Sequence, residues 1–190
     1  MQEIYCNEII ARALKVAARC HQGDSRKESK TPYIVHPVEV AMILQNHFDD
    51  EELIAAGLLH DTLEDTGLTK EELRKLFNDR IVRLVLGASE RLENREKTPW
   101  EKRKKHTIES VKEAEQDIKY LVCADKLANI RSMIRDKKSL GDRLWDKFNA
   151  GYDCQKWYYH NMTASLKALE GKKIYQEFTE AVSYLFEDDC

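Results

Sequence analysis

Helical spacing with almost nothing to interrupt it is the feature that most constrains this chain. Seven glycines and three prolines punctuate its 190 residues. No stretch shows the clean period-two alternation of a half-buried strand. Apolar residues recur instead every three or four positions: Ile10, Ala13, Leu14 and Ala17, continued by His21, and later Tyr175, Phe178, Val182 and Leu185. The chain therefore reads as all-α. With 42% hydrophobic residues it has enough apolar material for one domain, taken as residues 1–190.

Local signals set the expected boundaries. A polar loop, QGDSRKESKTPYI, runs up to His36-Pro37. Proline suits the first turn of a helix, so His36 is placed at or beside an N-cap, ahead of Val40, Met42, Ile43 and Leu44. The next helix starts near Asp50, carries HDTLEDT and closes at Gly67 as a C′ residue. Thr69 and Glu72 form a capping box, and IVRLVLGA is a helix to about Ala88. Residues 89–97, SERLENREK, read as an exposed loop that covers a site. Thr98-Pro99 restarts a helix with proline at N1, and Asp117 caps the helix IKYLVCADKLANIRSMIR. Two more helices follow, with Trp157, Tyr158 and Tyr159 read as core.

Charge narrows the partners. The 31 Lys+Arg against 34 Asp+Glu leave a net charge of −3, whereas a duplex binder is normally basic. The run Lys102, Arg103, Lys104, Lys105 is interleaved with Glu101 and Glu109 and reads as a solvated face, so no nucleic acid partner is expected. The five cysteines are scattered without a C-x-x-C pair, which fits a reducing cytoplasm better than a disulfide framework. No signal peptide is expected at the N-terminus, and no apolar run approaches the roughly 20 residues of a membrane helix.

Chemistry concentrates in HDTLEDT. On a continuous helix His60 stands over Glu64 and Asp61 over Asp65. The preceding LIAAGLL is apolar, and four such groups at the end of a buried helix are costly unless a cation or substrate offsets their desolvation. Farther on, Leu121, Asp125, Asn129 and Ser132 form one helical stripe that turns from apolar to polar. Any of the histidines alone reads as an ordinary core or surface residue. Together, His36, His60, Asp61 and Asp125 make a ligand set of two imidazoles and two carboxylates. That mixture suits manganese, iron, cobalt, nickel or zinc better than magnesium or calcium. Glu64 and Asp65 could take a proton from water or give one to a leaving oxygen, or could be plain solvated acids. Arg26 and Lys27 could clamp phosphate or stack on a base, or belong to an ordinary polar loop.

These motifs resemble the HD superfamily of metal-dependent phosphohydrolases, and more narrowly the hydrolase domain of RelA/SpoT-type enzymes and the small alarmone hydrolases. The resemblance runs through HQGDSRKESKTPYIVHP (21–37), AAGLLHDTLEDT (55–66) and ADKLANIRS (124–132). It implies a compact HD-domain helical bundle of roughly 8–10 helices. It also implies one divalent metal, manganese in the relatives, held by His36, His60, Asp61 and Asp125. Glu64 and Asp65 would orient or activate the water, and Arg26 and Lys27 would face the guanine and phosphates. Asn129 and Ser132 would complete the nucleotide site, while Arg131, on the same helix, is read as a further cation against the phosphoryl oxygens. The implied reaction is removal of the 3′-pyrophosphate of (p)ppGpp, as in the stringent response, without a synthetase domain. Asp24, Ala128 and the segment GASERL depart from the usual pattern. The alternatives are an HD hydrolase for another nucleotide or phosphoester, and a non-catalytic nucleotide-sensing module. Oligomeric state is left open.

Overall fold

The computed structural model of the chain describes residues 8–26, 30–90 and 97–186. Among them the architecture is helical, and the one β-type pairing is an isolated bridge between Ser25 and Pro32. Two compact units divide the chain after Ser89, Met1–Ser89 and Glu90–Cys190.

The first unit is built around one apolar helix. It contains α1 (Glu8–Cys20), α2 (Val35–His47), α3 (Glu51–Leu59), α4 (Thr62–Asp65), α5 (Lys70–Leu76) and α6 (Asp79–Ala88). Every residue of α3 from Leu53 to Leu59 is buried, as expected of a helix that is hydrophobic on all sides. It packs against α1, α2 and α6. Small side chains make those approaches close. A Cβ on Gly57 would stand 2.7 Å from Leu44 Cδ1 and 3.4 Å from the Cα of Ala41 in α2. On α1 the buried stripe is Ala13, Ala17 and the following His21, while Leu14 is exposed. The Asp50 side chain starts α3 by accepting from the Leu53 N–H at 3.0 Å. It also pairs with Arg80 of α6 at 2.6 Å. The capping box is complete, with both the Thr69 and Glu72 halves formed, and Asn78 caps α6.

His36 is the second residue of α2, which begins after Ile34. Two boundaries in this unit differ from the sequence reading. The helix carrying HDTLEDT is not continuous: it stops at Leu59 and restarts as the single turn α4. Side-chain bonds compete with the helical ladder here. His60 Nδ1 lies 2.8 Å from the Gly57 carbonyl, and the Thr62 hydroxyl donates to the Leu59 carbonyl at 2.6 Å. The turn then ends at Thr66, in an extended conformation, rather than on a left-handed Gly67.

The second unit contains α7 (Trp100–Glu113), α8 (Gln116–Leu140), α9 (Tyr152–Ser165) and α10 (Lys173–Phe186), with short 3-10 turns at Gly141–Lys147 and Lys167–Leu169. Helix α8 packs on α10, and α7 on α9. Tyr158, Tyr159 and Phe178 lie in the core, as the aromatic pattern suggested, together with Phe186, whereas Trp157 is only half-buried. Pro99 is the N-cap of α7 rather than its first residue. Glu115 occupies the N-cap of α8, so Asp117 falls inside the first turn. Glu90 is not on an exposed loop: its side chain is 5% accessible and pairs with Arg103 and Lys104. Residues 91–96 of that expected loop lie outside the described residues.

Candidate metal centre

Two consecutive residues at the α3–α4 break carry the centre. The His60 ring is buried (3% exposed) and the Asp61 side chain is nearly so. A carbonyl oxygen can only accept, so the Gly57 contact places the ring proton on His60 Nδ1 and leaves a lone pair on Nε2. That lone pair faces Asp61 Oδ1 at 3.1 Å. Helix α2 contributes His36, also buried, whose Nε2 stands 3.6 Å from Asp61 Oδ2. The two imidazoles meet edge to face, with centroids 5.2 Å apart and nitrogens that could hold a metal within 4.8 Å of one another.

Lone pairs of imidazole and carboxylate facing each other at such distances repel unless a proton or cation lies between them. The donor set therefore fits a divalent cation, and mixed nitrogen and oxygen ligation favours a transition metal.

Glu64 and Asp65 lie just beyond. The N–H groups of Glu64 and Asp65 both donate to the Asp61 carbonyl, at 3.2 and 2.9 Å. Glu64 is half-buried and Asp65 exposed. A residue that sequence reasoning did not single out ties this acid to the ligand cluster. The Tyr33 hydroxyl donates to Asp61 Oδ2 at 2.6 Å and reaches Asp65 Oδ2 at 3.3 Å. Its presence in the PYI-x-HP segment was the only signal available.

Arg26 lies at one end of a narrow loop. Its N–H donates to the Thr31 carbonyl at 3.0 Å, and the Tyr33 N–H to the Asp24 carbonyl at 2.9 Å. Gly23, at φ 89°, makes the turn into this loop. Lys27 lies outside the described residues.

In the second unit, both oxygens of Asp125 are engaged on α8: Oδ1 accepts from Asn129 Nδ2 and Oδ2 from Lys126 Nζ, each at 2.6 Å. Burial pushes the Lys126 ammonium down, but the Asp125 carboxylate, together with Tyr158 and Tyr159, outweighs it and holds the lysine well above its usual range. Lys126 was also missed, because a lysine next to an aspartate carries no helical-face signal. The Arg131 guanidinium pairs with Glu177 of α10 at 2.8 Å, and Ser132 is half-buried. The basic run on α7 is not wholly a solvated face. Lys104 is partly covered against the Tyr158 ring, 5.4 Å from its centroid.

The HD-domain family profile matches residues 13–148, and the chain belongs to that family. Among its relatives, mouse MESH1, a guanosine-3′,5′-bis(diphosphate) 3′-pyrophosphohydrolase, is 31% identical over 182 residues, covering 94% of this chain and 93% of MESH1. A Myxococcus xanthus GTP pyrophosphokinase is 49% identical over 82 residues, but there the chain spans only 11% of the relative. Among solved structures, a metazoan ortholog of SpoT that hydrolyzes ppGpp matches with a TM-score of 0.77 at 26% identity, covering 95% of this chain and 97% of the other.

Proposed function

We propose that this chain is a metal-dependent phosphohydrolase that removes the 3′-pyrophosphate of (p)ppGpp, yielding GDP or GTP and pyrophosphate. The observation that carries the reading is the convergence of His36, His60 and Asp61, with Asp65 reached through Tyr33. The near full-length similarity to MESH1 supports the substrate. Asp125, at the family's third motif, is the remaining ligand of the proposed set, and the chain is read as a single HD-type domain. The metal is manganese, with iron, cobalt, nickel and zinc as the other ions the ligands suit.

A bound divalent ion supplies Lewis acidity and lowers the pKa of water. The protein supplies the rest. Asp65 or Glu64 orients the attacking water and accepts its proton. The water oxygen forms a bond to the ester phosphorus while the bond to the ribose 3′ oxygen breaks, and that oxygen leaves with a proton. Arg26, Lys27 and Arg131 balance phosphoryl charge, while Asn129 and Ser132 bind the nucleoside. No described helix is long and apolar enough to cross a membrane, and the proposed compartment is the cytoplasm.

The deciding experiment incubates the purified protein and Mn²⁺ with (p)ppGpp, dNTPs, NADPH and cyclic dinucleotides while following product release. Pyrophosphate from the alarmone alone is the expected result. Turnover of another nucleotide with indifference to (p)ppGpp would replace the substrate. Specific nucleotide binding without turnover of any compound would favour a sensing module.

A further inference from the structure

We propose that Tyr33 is a positioning residue of the metal centre, fixing the ligand Asp61 against the acid Asp65, and that His21 holds the tyrosine ring in place. The inference rests on the metal-hydrolase reading above.

A tyrosine hydroxyl has one proton and here meets two carboxylates. At 2.6 Å the Asp61 contact is a charge-assisted hydrogen bond, while Asp65 at 3.3 Å is the weaker alternative acceptor. The hydroxyl thus fixes which Asp61 oxygen is occupied and how near Asp65 comes to it. Without it, the two carboxylates lose the hydroxyl that bridges them.

The ring itself is held by packing. His21 stacks on Tyr33 with centroids 4.7 Å apart and a 36° tilt. His21 is buried, and neither ring nitrogen has a hydrogen-bond partner. An Asp24 oxygen stands 3.5 Å from Nδ1. Tyr33 also meets His36 edge-on, with centroids 6.1 Å apart. Contact with both histidine rings leaves the hydroxyl little freedom to turn away.

The test compares wild type with Tyr33→Phe, His21→Ala and His21→Phe. It reads Mn²⁺ dissociation constants by calorimetry, unfolding of the metal-free protein, and kcat and KM. Removing the hydroxyl alone is expected to weaken Mn²⁺ binding by ~10- to 100-fold, the usual range for a group that orients a ligand. It should lower kcat with KM nearly unchanged and leave metal-free unfolding as in wild type. His21→Ala should move both quantities the same way, and His21→Phe, which keeps a flat ring, should restore them. Wild-type Mn²⁺ affinity and kcat in Tyr33→Phe would overturn the assignment. So would a loss confined to metal-free stability, which would make the tyrosine merely structural. If the wild type hydrolyses none of the nucleotides, the substrate reading fails while the Mn²⁺ comparison still judges Tyr33.

Discussion

His60 has its chemistry set by a backbone atom. The Gly57 carbonyl accepts a hydrogen bond from Nδ1–H and turns the basic nitrogen toward Asp61. Replacing the ring by an amide removes the imidazole lone pair, so His60→Gln is expected to weaken Mn²⁺ binding by at least ~100-fold, more than loss of an orienting group costs. Calorimetric titration of the folded variant checks this. The paired His-Asp was legible because the two residues are adjacent in sequence and follow an apolar run. Tyr33 was not legible in its role, because it bonds a carboxylate 28 positions away and no helical period links the two.

At the level of elements, α3 supports the centre, and its contacts explain how the helix can be broken. Its N-terminus is pinned by Asp50, whose carboxyl is held below the usual range by hydrogen bonding to Arg80, with the Leu53 N–H adding to the effect against partial burial. A depressed carboxylate pKa contributes stability above its unfolded value, and that contribution is lost as the pH falls through the folded value. Wild type should therefore lose stability below pH ~4. Asp50→Ala should cost ~1 kcal/mol at neutral pH, the worth of an N-cap, and flatten the acid limb in denaturant titrations across pH. At the other end, Gly57 admits α2. Gly57→Val, with Leu44 and the Ala41 backbone already close, should cost ~1–3 kcal/mol and displace the carbonyl that orients His60. A lowered melting temperature together with weaker Mn²⁺ binding is the expected pair of results. The capping box and the Asp50 and Asn78 caps depend on residues three apart, so Thr69-Glu72 could be read directly from sequence. The interruption after Leu59 could not. The i,i+4 pattern continues through it, while the His60 ring and the Thr62 hydroxyl bond back to carbonyls at the break. Pro99 and Asp117 were displaced by one or two positions for a plainer reason, since several neighbouring residues can begin a turn equally well.

For the whole molecule, a ligand that binds only the folded chain stabilises it by RT ln(1 + [L]/Kd), ~2.7 kcal/mol at a hundredfold excess over Kd. Chelation should accordingly lower the melting temperature, and Mn²⁺ should restore it. The break between α3 and α4 adds a qualification to that curve. Unfolding carries His36 away from the centre but cannot separate His60 from Asp61, which share a peptide bond. The denatured chain thus keeps a weak two-point chelate. Once the metal concentration is high enough to load that pair, folded and unfolded states gain equally from any further metal. Melting temperature against Mn²⁺ concentration should therefore rise and then level off. The height of the plateau measures what folding adds to two ligands that the covalent chain already holds together.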